Sequence, residues 1–394
     1  TEAADLAVSA QPLLQALEAR VSAAQETAVA ARQFPDPQLK FGVTNLPANT
    51  ADRFSLSRDF MTMTGIGLMQ EFPHAEKRRL RGDLSEREAA RLDAERQLAS
   101  RSIRRDASLA WLELWRYDRL QALVRTNLRE ADAQQQVVEI ALKTGTATQG
   151  DFLAARQEVD RLRDEVAGAE QGVAQARSVL SRWIGEAAQR PVCPELPNAL
   201  PLPSLAVTQM QVRSHPLVAS AMAQLAAAQT DADLAQAAYK PDWRAELGFA
   251  YRPDFSEMLS FQVGVDLPVF TRNRQDRGLA AAFAQRDAAA FTVEDARRQL
   301  MSEARLNHHN YERLVVRLGD HDQILLPQSQ NRIAAALAGW RSGRNVLREV
   351  LDARRAALEI EMARLDLQFD LAKHVVQLTY LGAYEAATGE NSHE

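Results

Sequence analysis

The chain has 394 residues, 46% hydrophobic and 25% charged, with a formal charge of -5. That is the balance of folded protein and leaves no net positive field for a polyanion, so nucleic acid is not expected as a partner. The single cysteine, Cys193, excludes an internal disulfide and a multi-thiol zinc site. Mean hydropathy is -0.32 and no window approaches the roughly 20 apolar residues of a membrane-spanning helix, which leaves a β-barrel open. The first residues show neither a basic start nor an apolar signal core, so any export signal is expected to lie outside this sequence.

In chain order, the first half, residues 1–190, reads as a helix, a β-hairpin over 36–72, a long helix over 75–143 and a return helix over 148–184. The long segment holds no proline and at 1.5 Å per residue would reach roughly 100 Å, a rod that no compact globule needs. On the return helix Val159, Leu162, Val166, Ala169, Val173, Ala176, Leu180 and Trp183 step by threes and fours, the mark of a coiled-coil seam. Residues 191–211 follow as a linker, read as extended because Pro191, Pro194, Pro197, Pro201 and Pro203 cannot continue a helix. The second half, 212–394, repeats the plan: helix, hairpin over 242–269, long helix, and a helix over 345–382 with a seam through Leu358, Met362, Leu365, Phe369, Ala372 and Val376.

The two halves also match residue by residue. Pro35, Asp36 and Gly42 align with Pro241, Asp242 and Gly248 at an offset of 206. LMQEFP (68–73) aligns with VGVDLP (263–268) at 195, carrying Lys77 and Arg79 onto Arg272 and Arg274. GTATQGDFLAAR (145–156) aligns with GRNVLREVLDAR (343–354) at 198, and SRWIG (181–185) with LTYLG (378–382) at 197. Four blocks in one order imply duplication.

In the second hairpin Trp243, Ala245, Leu247, Phe249 and Tyr251 alternate with Arg244, Glu246, Gly248, Ala250 and Arg252. Leu259, Phe261, Val263, Val265 and Leu267 alternate with Ser260, Gln262, Gly264 and Asp266. In the first, Leu39, Phe41 and Val43 alternate with polar residues, whereas its partner, read from Phe60 to Phe72, alternates poorly. A soluble sheet covered on one side and a lipid-facing barrel both fit such alternation. Runs near the roughly 9 to 11 residues that cross a bilayer, with Trp243 and Tyr251 near their ends, favour lipid. Four strands cannot close a barrel, so oligomerisation is expected.

The duplicated helix-hairpin-helix plan, the Pro-Asp starts of the hairpins, the Pro73 and Pro268 exits and the Gly145 and Gly343 turns resemble the TolC-like outer-membrane efflux proteins over nearly the whole chain. FSLSRDFMTMTGIGLMQEFPHAEKRR (54–79) resembles the subgroup serving heavy-metal pumps of the cobalt-zinc-cadmium and copper type. The resemblance implies a mainly α fold with a small β part. Each protomer of a homotrimer would give four strands to a transmembrane β-barrel and long coiled-coil helices to a periplasmic α-barrel. It also implies a bacterial outer-membrane location and, as partners, outer-membrane lipid, a periplasmic adaptor protein and an inner-membrane RND pump. The function implied is export of heavy-metal cations; a drug-efflux or type I protein-secretion duct is the alternative within the fold, and a soluble coiled-coil scaffold the alternative outside it.

By the same resemblance, Thr144, Gly145, Thr146, Ser342 and Gly343 would form the tip that meets the adaptor. Glu349 and Asp352, three apart on one helix face, would line the constricted entrance of the tunnel with Asp151 as the first-half counterpart. The family's closing network uses a tyrosine and an arginine near this turn, where this chain has Trp340 and Asn345, with Arg344 adjacent. Two stacked rings of carboxylates would concentrate cations.

No phosphate-binding glycine loop, HExxH or nucleophile elbow is present, so neither a catalytic residue nor a cofactor is expected. His308 and His309, adjacent on a helix, point about 100° apart and are not a ready ligand pair. Met61, Met63 and Met69 are expected on one strand face, in strand packing and not as a metal site. Lys77, Arg78, Arg79 and Arg81, with Arg272, Arg274 and Arg277, cluster just after the strands and read equally as solvated helix starts or as lipid-headgroup contacts.

Overall fold

A computed structural model describes residues 2–49, 51–196 and 203–384. The helices are α1 (Glu2–Ala10), α2 (Pro12–Ala31), α3 (Ala75–Lys143), α4 (Gln149–Ile184), α5 (Leu205–Val212), α6 (Pro216–Ala237), α7 (Gln275–Asp320), α8 (Leu326–Arg341) and α9 (Leu347–Tyr380). The strands are β1 (Gln38–Thr44), β2 (Met63–Phe72), β3 (Asp242–Tyr251) and β4 (Met258–Asp266). A π-helical turn, His321–Leu325, joins α7 to α8 just ahead of Pro327, whose missing N–H breaks the regular ladder. The fold is therefore mainly helical with one small sheet.

The chain forms two compact units, and each draws on both sequence halves. One comprises Thr1–Leu14, Gln97–His215 and Arg297–Glu394; the other comprises Gln15–Arg96 and Pro216–Ala296. In the first unit the expected seams are buried or half-buried. Val159 and Leu162 of α4 pack with Val124 and Ala131 of α3 and Leu358 of α9, while Leu365 and Phe369 of α9 pack with Leu112 and Trp115 of α3. Each fully buried side chain of this size contributes roughly 1.5–3 kcal/mol. Pro194 accepts a hydrogen bond from Trp115 Nε1 at 3.3 Å, and Val192 and Leu196 cover the same cluster.

The linker is shorter than expected from its prolines. Ser204 caps α5, so Leu205–Val212 is helical where the linker is expected to continue. Pro197 and Pro201 lie outside the described residues.

In the second unit the sheet order is β1-β2-β3-β4, all antiparallel, so the two hairpins join through β2 and β3. The register sets Leu39 beside Leu68, Phe41 beside Ile66, Ile66 beside Phe249, Leu68 beside Leu247, and Leu247 beside Phe261. One face is thus apolar across all four strands, and it is exposed: Phe41 by 74%, Phe261 by 70%, Leu259 by 75%. Strand β2 alternates poorly in sequence because Thr64 and Gln70 share the apolar face with Ile66, Leu68 and Phe72, while Met63 and Met69 stand with Gly65, Gly67 and Glu71 on the other. Over Gly67 the Lys40 ammonium of β1 reaches Glu246 of β3 at 2.6 Å, and a Cβ at Gly67 would lie 3.5 Å from that carboxylate. Met61 lies outside the strand, its amide donating to Asp59, so only Met63 and Met69 share the expected face.

Candidate functional site

The two helix-helix turns of the first unit are built alike. Thr146 N–H donates to Ala141 C=O at 2.8 Å and Arg344 N–H to Gly339 C=O at 2.9 Å, each closing its helix over a residue of positive φ, Gly145 at 77° and Gly343 at 71°. Glycine adopts that conformation without the penalty a Cβ brings. Thr144, Thr146, Ser342, Gly343 and Arg344 are exposed; Thr144 Oγ1 lies 3.2 Å from Thr146 Oγ1, and Ser342 Oγ donates to Gly339 C=O at 3.0 Å. Asn345 folds back over Gly339, where an added Cβ would lie 2.6 Å from its side-chain nitrogen.

Beyond the turns the halves part. At the start of α4, Thr148 Oγ1 accepts from Asp151 N–H at 3.1 Å while an Asp151 carboxylate oxygen accepts from Thr148 N–H at 2.9 Å, a reciprocal cap. At the start of α9 the cap position is Val346, whose side chain can accept nothing, and Glu349, in register with Asp151, keeps both carboxylate oxygens out of capping. Glu349 and Asp352 are exposed; Arg348 stands 3.9 Å from Asp352, a long and solvated pair. Trp340 is half-buried with Ile333 and Leu337 against a cluster of Val138, Ala155, Leu347, Val350 and Leu351. Its ring is a packing group at this turn. Ala154, where Asp352 has its first-half match, joins the same cluster.

One charged group was missed by sequence reasoning. Glu158 of α4 is buried; it accepts from Arg161 of its own helix and, at 2.7 Å, from Arg355 of α9. Burial pushes this carboxyl up, and the two guanidinium groups outweigh it and hold it below its ordinary value. The Glu158, Arg161, Glu165 spacing reads as an ordinary exposed ladder along one helix, and nothing in α4 alone places Arg355 opposite. Glu158, Arg161 and Arg355 line a cavity of about 20 Å³ with Asn127, Gln134 and Leu351.

The histidines do not converge. His308 meets Pro203 C=O at 2.9 Å and Glu312 at 3.5 Å, while His374 meets Asn307 at 2.8 Å. No cluster of three or more potential metal ligands occurs among the described residues, and no described helix is long and apolar enough to cross a membrane.

Residues 3–186 match the family model of outer membrane efflux proteins. The structure is similar to that of the outer membrane protein VceC of Vibrio cholerae, with a TM-score of 0.82, 19% identity, and coverage of 97% of this chain and 95% of that one. It is similar also to the CmeC outer membrane channel of Campylobacter jejuni, at 0.82, 12% identity, and 100% and 89% coverage. The third, CusC, has a TM-score of 0.79 at 18% identity with 96% and 91% coverage. No curated protein matches the sequence. The matched family and these neighbours are channel proteins, not enzymes.

Proposed function

We propose that the chain is one protomer of a trimeric outer-membrane efflux duct, a passive conduit that receives its cargo from an inner-membrane RND pump through a periplasmic adaptor. The observation that carries this reading is the sheet: an exposed, mainly apolar face that crosses all four strands, a more polar face behind it, and β1 and β4 as open edges. In water that face and those edges would aggregate; in lipid, with edges joined to those of two further copies, both are satisfied. The family match over the first half supports the same reading. Heavy-metal cations are the proposed cargo, supported by the 54–79 segment and by the uncapped acidic start of α9.

Residues Thr144, Gly145, Thr146, Ser342 and Gly343 are proposed to meet the adaptor. Glu349 and Asp352 are proposed to line the entrance, with Asp151 engaged as a cap and Trp340, Arg344 and Asn345 shaping the turn. Purification tests the reading: the chain should leave membranes only with detergent and run as a trimer that conducts in planar bilayers. A water-soluble monomer would reject it. Cargo is tested by gene deletion against a panel of metals, dyes and antibiotics, with metal sensitivity expected.

A further inference from the structure

We propose that the start of α7 is a binding site for anionic phospholipid headgroups, a reading that rests on the sheet being embedded in a membrane. The two strand-to-helix junctions of the second unit match in sequence, Lys77 and Arg79 with Arg272 and Arg274, yet spend their charges differently. After β2, Lys77 Nζ lies 2.8 Å from Asp242 and Arg79 lies 2.8 Å from Asp83. Arg78 stacks 3.7 Å from the Phe34 ring centroid and donates to Arg32 C=O. These cations hold the junction together.

After β4, Arg272, Arg274 and Arg277 are exposed, and none has a carboxylate within ion-pair distance among the described residues. Their backbone is nonetheless set: Thr271 C=O accepts from Arg274 N–H at 3.0 Å and Asp276 N–H at 3.1 Å. Asp276, the one acid in the segment, accepts from the Tyr239 hydroxyl at 2.7 Å. Immediately before these arginines, Leu267, Val269 and Phe270 are 68%, 67% and 83% exposed. Leu267 continues the apolar alternation of β4, so the cations begin where the apolar face ends.

Apolar side chains followed within a few residues by unpaired guanidinium groups fit the boundary where acyl chains give way to phosphates. An acidic protein partner would answer the arginines but not the exposed Leu267, Val269 and Phe270 just before them. Attraction to an anionic surface is worth roughly fivefold per arginine.

The test uses the full chain in detergent and native mass spectrometry with dioleoyl phosphatidylglycerol, dioleoyl phosphatidylethanolamine and inorganic phosphate as probes. Wild type and an Arg58→Gln control should prefer phosphatidylglycerol over phosphatidylethanolamine at least tenfold. The triple variant Arg272→Gln, Arg274→Gln, Arg277→Gln should lose that preference with its melting temperature and trimer mass unchanged. Equal affinity for the two lipids, a preference retained in the triple variant, or inorganic phosphate binding as well as the lipid would overturn the proposal while a conducting trimer left the duct reading intact. A triple variant that keeps lipid preference but loses efflux would assign the arginines to a protein partner and equally overturn it. A chain soluble without detergent would overturn both.

Discussion

The first and second halves of this chain carry the same scaffold and different electrostatics. At the helix turns, Gly145 and Gly343 take the same left-handed conformation and the same backbone hydrogen bonds. One residue type then separates them. Thr148 ties Asp151 into a cap, whereas Val346 leaves Glu349 untied. At the strand exits, Lys77 and Arg79 are spent on Asp242 and Asp83, whereas Arg272 and Arg274 face outward. Duplication preserved backbone geometry while the charged groups at these matched positions diverged: Asp151, Lys77 and Arg79 are tied to neighbouring groups, whereas Glu349, Arg272 and Arg274 are exposed. Hydrogen bonds and buried pairs stabilise; exposed charges contribute little to stability and act instead through their field.

The largest expected effect is therefore in the first half. Replacing Glu158 by alanine removes the acceptor shared by Arg161 and Arg355 and should cost about 2 kcal/mol in chemical denaturation, as charged hydrogen bonds do. Glu349→Ala should change stability by less than about 0.5 kcal/mol, as exposed substitutions do. Equal losses would mean that the buried and the exposed carboxylate are held alike.

A smaller effect should separate the caps. Thr148→Ala should cost about 1 kcal/mol, and Val346→Thr should gain a similar amount, because a hydroxyl at 346 can accept from Glu349 N–H and complete the box that α4 has and α9 lacks. No gain from Val346→Thr would mean that Glu349 is held by something other than the missing cap.

The smallest effect is in pH dependence. Burial lowers the His374 imidazole from its ordinary value; Asp370 opposes this and Lys373 reinforces it. With the folded pKa below the unfolded one, the unfolded chain takes up the proton first. Stability should thus be level above about pH 6.5 and fall as pH drops from there toward the folded value. His374→Gln should flatten that part of the stability profile; an unchanged slope would assign it to other groups.

How much was legible in the sequence follows the same division. The Pro-Asp starts, the seam from Val159 to Leu180 and the strand alternation of β3 and β4 declare themselves because helix and strand periodicities act locally. Two hairpins were legible from the duplication, and their joining in one sheet came only with the family resemblance. The helical end of the linker was hidden because the prolines that dominate its composition stop at Pro203, one residue before the Ser204 cap. Met61 was misplaced because the alternation of residues 61, 63 and 69 carries no mark of where the strand begins. The Glu158 network and the unequal fates of matched arginines were illegible, since each depends on which side chain another element places opposite.

The most direct test of the account is ion selectivity of reconstituted trimers in planar bilayers under a salt gradient. Asp151→Asn, which keeps a capping acceptor, should leave the reversal potential near that of wild type, whereas Glu349→Ala with Asp352→Ala should move it toward zero and weaken block by multivalent cations. Equal shifts from the two variants, or no shift from the double variant, would contradict the claim that the second half alone presents its charge to the passing cargo.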